Sequence, residues 1–232
     1  MSARSEQQEP LRKTAVLGGS FDPVHLGHLH MAAAALEHGG VDEVWLLPAR
    51  CPPHKNPGAL APAEQRLAML FLAAEQAPRV TVCTVELERD DLRYTLDTLS
   101  ALARDHAGRS FSFLVGADSL FELRRWHRAP ELVDRFEILS VPRAGFDLET
   151  VTPARLGFDQ DRTGRLRAGV LPAEAMAVSS TEVRKRVAQG QSIRYLVPAP
   201  VAAYIADHDL YRAPGESYRS SGHGCSGPGS PG

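Results

Sequence analysis

Excess charge of either sign is missing from this sequence. Against 28 aspartates and glutamates stand 26 lysines and arginines, leaving a formal net charge of -2 over 232 residues. A broad positive field for nucleic acid or an anionic membrane is therefore not expected, and phosphate recognition must come from a local site. Long apolar runs are also absent. None approaches the roughly 20 residues that span a bilayer. The opening residues MSARSEQQEPLR are polar and lack the apolar centre of a signal peptide. Cysteine is scarce: Cys51, Cys83 and Cys225 are widely spaced and form no CxxC pair. The expectation is a reduced, cytoplasmic chain with neither nucleic acid nor membrane as partner. The GxxxxGK[ST] loop of the P-loop kinases is missing too, which excludes that class.

What is present suits one globular unit. Hydrophobic residues make up 43% and charged residues 23%, enough for a real core. The expected organisation is an N-terminal tail over 1–12, one domain over 13–213, and a Gly/Ser-rich C-terminal tail over 214–232. No internal repeat is visible. Short apolar strand-like runs alternate with helical stretches. Strands are predicted at Thr14–Leu17, Val44–Leu47, Val80–Val85, Phe111–Val115 and Phe136–Val141, with the end of another at Met176–Val178. Helices are predicted at Leu26–His38, Pro62–Glu75, Thr95–Ala103, Pro130–Arg135, Ser180–Gln189 and Pro200–Asp207. Residues 143–168 read as an irregular loop. This alternation predicts the α/β class: a single doubly wound, Rossmann-like domain with a mostly parallel sheet and helices on both faces. Ligands in such sheets bind beyond the carboxyl ends of the strands, and the informative segments 18–28, 48–55, 116–126 and 179–184 all fall near that place.

Residues 18–28 read Gly-Gly-Ser-Phe-Asp-Pro-Val-His-Leu-Gly-His. Gly18 and Gly19 allow a tight turn and a close approach of ligand to backbone. A helix starts near Val24, with His25 at its mouth and His28 one turn on, so both imidazoles can face one space. Gly27 costs a helix about 1 kcal/mol, which makes sense if something packs tightly on that turn. Free N–H groups and the helix dipole suit a phosphate, and two imidazoles there can donate to phosphoryl oxygens as charge builds. A turn with incidental histidines is the alternative. A zinc site lacks further ligands.

The segment resembles the GG(S/T)FDPxHxGH signature of the HxGH-motif nucleotidyltransferase superfamily, matching over all eleven residues. Further along, Pro52-Pro53-His54-Lys55 resembles the PPHK loop of the bacterial nicotinate mononucleotide adenylyltransferases. Tyr94-Thr95-Leu96-Asp97-Thr98-Leu99 resembles their YTxxTL stretch, though Arg93 stands before it. Gly116-Ala117-Asp118-Ser119-Leu120 with Trp126 resembles GADSL…W, and Val178-Ser179-Ser180-Thr181-Glu182-Val183-Arg184 resembles ISSTxxR. The closing Val197-Pro198…Leu210-Tyr211 resembles the family's VPxxVxxYIxxxxLY ending and reads as packing. Ser179 and Glu182 also fit a capping box with no ligand at all.

The resemblance implies adenylyl transfer from ATP to nicotinate mononucleotide, giving deamido-NAD and pyrophosphate in NAD biosynthesis. It assigns charge stabilisation to His25, His28, Lys55 and Arg184. ATP would be held by Gly18, Gly19, Ser20, Phe21, His25, Gly27, His28, Gly116, Asp118, Ser179, Ser180 and Arg184. The mononucleotide would be held by His54, Lys55, Tyr94, Thr95, Trp126 and Arg143, the last lying in Val-Pro-Arg-Ala-Gly where the family has Arg-Pro-Gly. Mg²⁺ would arrive with ATP, held by phosphates and water, with no metal site of the chain's own. The acceptor is already an anion, so no activated nucleophile is needed. Other phosphate acceptors, such as nicotinamide mononucleotide, and a non-catalytic nucleotide-binding regulator are the rival readings. Association into a homo-oligomer stays open.

Overall fold

The computed structural model describes residues 10–50, 60–146 and 150–212. In chain order it runs β1 (Arg12–Gly19), α1 (Leu26–His38), β2 (Glu43–Pro48), α2 (Ala63–Ala74), β3 (Val80–Val82), α3 (Val85–Glu88), α4 (Thr95–Asp105), β4 (Arg109–Gly116) and α5 (Ala117–Glu122). After a 3-10 turn at Leu123–Arg125 come α6 (Ala129–Arg135), β5 (Glu137–Val141), α7 (Pro153–Leu156), α8 (Gln160–Ala168), α9 (Ser180–Ala188) and α10 (Ala199–Asp207). The strands form one sheet in the order β3-β2-β1-β4-β5, and every pairing is parallel. The order reverses beside β1, so a crevice opens between the ends of β1 and β4.

Strand side chains alternate between two cores, as the two-residue period demands. Ala15, Leu17, Val44, Leu46, Leu114, Leu139 and Val141 enter one cluster with α1, α2, α9 and α10. Val16, Trp45, Leu47, Phe111, Phe113, Val115 and Ile138 enter the other with α4, α5, α6 and α8. Burial on both faces explains why these strands read as nearly continuous apolar runs.

Several expectations need correction. Residues 143–168 are not an irregular loop, because α7 and α8 lie inside them. Thr152 caps α7 by accepting from Arg155 N, and Asp159 caps α8 by accepting from Arg162 N. No strand forms at Met176–Val178. Instead Leu171 N donates to Ser140 O and Ser140 N to Gly169 O, a brief parallel bridge on the β5 edge. The next bond of the ladder would need the N–H of residue 142, which is Pro142, and Leu171 O accepts from Ala173 N instead. The third strand ends at Val82, and α3 takes up residues 85–88. Within α1 the fully buried stripe is Ala32, Ala34 and Ala35, with Leu29 and Leu36 only half-buried. Within α2, Phe71 is exposed while Arg66 is buried.

Candidate functional site

The loop between β1 and α1 is held from every side. Arg66 Nη1 donates to Ser20 O at 2.7 Å, Arg184 Nη1 to Asp22 O at 2.6 Å, and Ser180 Oγ to Pro23 O at 2.9 Å. Leu26 N donates to Leu196 O at 2.8 Å. Phe21 is fully buried with φ of 45°. That left-handed backbone is strained for a bulky residue, by an amount on the order of 1 kcal/mol, and persists only where surroundings impose it. At Gly18 a Cβ would stand 3.0 Å from Phe113 Cζ, so a larger residue would have to displace the Phe113 ring at this close-packed strand end.

His25 is the N-cap of α1, in extended conformation. No acidic residue sits in the first turn, so the positive end of the dipole stays uncompensated. The rings of His25 and His28 stack with centroids 3.7 Å apart and planes at 23°, and Phe21 lies against His28 at 4.8 Å. His28 Nδ1 accepts the His25 backbone N–H at 3.2 Å, which assigns the proton to His28 Nε2. A Cβ at Gly27 would meet His25 Nδ1 at 2.9 Å and Val178 O at 3.5 Å. The tight packing expected at this glycine is therefore with the His25 ring. His25 is only 5% exposed. Its pKa is lowered to about 4, first by burial and second by the positive Arg143. The imidazole is thus a neutral hydrogen-bonding group at neutral pH.

Arg143 Nη1 pairs with Asp118 Oδ2 at 2.9 Å. One oxygen of Asp118, a residue expected to help hold ATP, thus faces this guanidinium. Its Oδ1 is buried with no hydrogen bond among the described residues, and a Cβ at Gly116 would meet that oxygen at 2.6 Å. The structure thereby gathers the ends of β1, β4 and β5 around His25, Asp118 and Arg143.

On the other flank, Tyr94 is exposed and stacks on His127 at 4.0 Å. Trp126 is half-buried, its edge set against Phe113 at 5.8 Å. Tyr94 occupies the N-cap position of α4 without a side-chain hydrogen bond to the helix, and Thr95 is its first residue. Thr98 Oγ1 donates to Glu86 Oε1 at 2.8 Å, and burial pushes the Glu86 carboxyl up.

Ser179 caps α9 by accepting from Glu182 N at 3.2 Å. The Glu182 side chain turns to Arg186, so only half of the capping box forms. Ser180 and Arg184 do share one side of α9, as their spacing predicts, and here both hydrogen-bond to carbonyls of the 20–25 loop. His54 and Lys55 lie outside the described residues. Among the described residues there is no group of three or more His, Cys, Asp or Glu arranged for a metal.

Sequence reasoning missed the residues that brace the loop. Asp22, within the 18–28 segment, is wholly buried and accepts at Oδ1 from Tyr211 Oη at 2.7 Å and Ala61 N at 3.2 Å. Tyr211 was read as packing alone. Arg66 carried a usable signal, a lone arginine on the apolar side of a helix.

A doubly wound parallel sheet with paired imidazoles on the opening helix N-terminus defines a nucleotide-binding α/β protein of the nucleotidyltransferase class. Residues 16–186 match the family described as Cytidylyltransferase-like. A protein from Symbiobacterium thermophilum named "Probable nicotinate-nucleotide adenylyltransferase" is 40% identical over 208 residues, 90% of this chain and 99% of that one. One of the same name from Salinibacter ruber is 42% identical over 197 residues, 85% of this chain and 96% of that one. The chain belongs to the Cytidylyltransferase-like family and, within it, to the nicotinate-nucleotide adenylyltransferases. The Plasmodium falciparum nicotinic acid mononucleotide adenylyltransferase complexed with NaAD shares the fold, with a TM-score of 0.65 at 19% identity, over 86% of this chain and 97% of that one.

Proposed function

We propose that the protein joins the AMP part of ATP to nicotinate mononucleotide. A phosphate oxygen of the mononucleotide attacks the α-phosphorus of ATP in line. The new P–O–P bond gives deamido-NAD, and the bond to the β-phosphate breaks to release pyrophosphate. The observation that carries this reading is the stacked His25–His28 pair on the uncompensated N-terminus of α1, in a chain so similar to named relatives along nearly its full length.

Positioning and charge stabilisation do the work. His25 and His28, with Arg184 and Lys55, stabilise charge on the phosphates. Gly18, Gly19, Ser20, Phe21, Gly27, Gly116, Asp118, Ser179 and Ser180 form the remaining ATP surface. Tyr94, Thr95 and Trp126 frame the pyridine ring, and His54, Lys55 and Arg143 take the mononucleotide phosphate and its surroundings. Arg184 would exchange its bond to Asp22 O for a phosphate oxygen.

Mg²⁺ fits this site as an ion carried by ATP. Two carboxylates of the site, Asp22 and Asp118, already face Tyr211 and Arg143, so triphosphate and water would hold the metal, which would supply further charge neutralisation. The working unit is residues 13–213, acting in the cytoplasm. Incubation with ATP, Mg²⁺ and either nicotinate or nicotinamide mononucleotide, followed by mass spectrometry of the product, tests the reading. Deamido-NAD as the preferred product supports it, and its absence rejects it.

A further inference from the structure

The geometry points to Tyr211 as a positioning residue that aims Arg184 at the ATP phosphates through the buried carboxylate of Asp22, an inference resting on the function proposed above. Tyr211 lies 189 residues from Asp22 in the chain, just beyond α10. Leu210, itself buried, is tied back by its N–H to Ile205 O. The phenol is thus delivered to the catalytic loop by a packed helix end.

Asp22 has two oxygens with different surroundings. Oδ1 accepts from Tyr211 Oη at 2.7 Å and from Ala61 N at 3.2 Å. Oδ2 has no hydrogen bond among the described residues and lies 3.5 Å from Arg184 Nη1. That same Nη1 donates to the Asp22 carbonyl, while Nη2 reaches Thr181 Oγ1 at 3.3 Å. Two neutral donors on Oδ1 fix the plane of the carboxylate. Oδ2 is thereby presented to Arg184 without a close bidentate grip, the geometry that would hold an arginine most firmly. Arg184 is oriented and yet remains available to a phosphate. Without the phenol, the carboxylate can turn and take the guanidinium inward.

The test is Tyr211→Phe in the full chain. ATP affinity is measured by isothermal titration and kinetics by pyrophosphate release. The expected result is a rise of about tenfold in the Kd and KM for ATP, the scale of one lost hydrogen bond to a charged group. kcat should fall as well, because Arg184 stabilises the charge that develops on the phosphates, while the KM for nicotinate mononucleotide should stay within twofold. A merely structural role would lower the active fraction and Tm and leave the ATP KM alone. Tyr204→Phe, which removes a phenol from α10 outside the site, should change neither constant. In an Arg184→Ala background, Tyr211→Phe should add less than twofold, and an undiminished effect there overturns the coupling. If the phenylalanine variant does not fold, Asp22→Asn must show the same selective weakening of ATP binding, and an unchanged Kd overturns the inference. Failure of the wild type to form a dinucleotide counts against the proposed reaction. An unchanged ATP Kd in Tyr211→Phe counts against this inference.

Discussion

His28 accepts the backbone N–H of His25 through Nδ1 while the two rings lie face to face 3.7 Å apart. One residue's backbone thus fixes the other's tautomer, and the stacked geometry fixes its orientation. A preorganised donor of this kind needs no rearrangement when charge develops on a phosphate.

The ionisation of His25 follows from its burial. Its pKa of about 4 in the folded protein lies below the ordinary value of 6.5. Between those values the unfolded chain binds more protons, so stability rises with pH there. The contribution is complete above about pH 6.5 and is lost as the pH falls toward 4. An NMR titration of the His25 ring should give a midpoint near 4, and the urea midpoint should drop between pH 6.5 and 4.5. A ring midpoint above 6 would refute the neutral imidazole.

Gly27→Ala should separate activity from stability. The added Cβ would lie 2.9 Å from His25 Nδ1, so the ring must move. Alanine in a helix gains about 1 kcal/mol over glycine, which offsets the crowding. Tm should therefore hold or rise while kcat falls at least tenfold. Unchanged kcat in this variant would show that the position of the His25 ring is irrelevant.

Trp126→Ala should affect one substrate. Its half-buried ring, set with its edge against Phe113, is the surface proposed to hold the pyridine. Loss of stacking worth about 1 kcal/mol raises the KM for nicotinate mononucleotide about fivefold, with the ATP KM unchanged. Equal rises in both constants would point to general distortion.

Most of the sheet was legible because β1, β2, β4 and β5 are buried on both faces, which leaves an apolar run such as Phe111–Val115 between turn residues, whereas in the edge strand β3 Thr81 is exposed and the strand's end was misplaced. The segment 143–168 was not. Helix α7 is a single turn, and α8 buries only Thr163 and Leu166, too few to mark a helical period, although Thr152-Pro153 and Asp159 were readable start signals. Met176–Val178 has strand-like composition but pairs with no strand among the described residues. The paired histidines were visible as a local pattern. The Asp22–Tyr211 bond was not, because it joins residues 189 positions apart, and no local spacing records such a contact.

Steady-state kinetics of folded His28→Ala with ATP and nicotinate mononucleotide decides whether the stacked imidazoles carry the chemistry. Loss of one preorganised donor predicts a fall in kcat of roughly 100-fold or more, with the circular dichroism spectrum of the wild type retained. A kcat within about threefold of wild type would remove His28 from the mechanism and contradict the account.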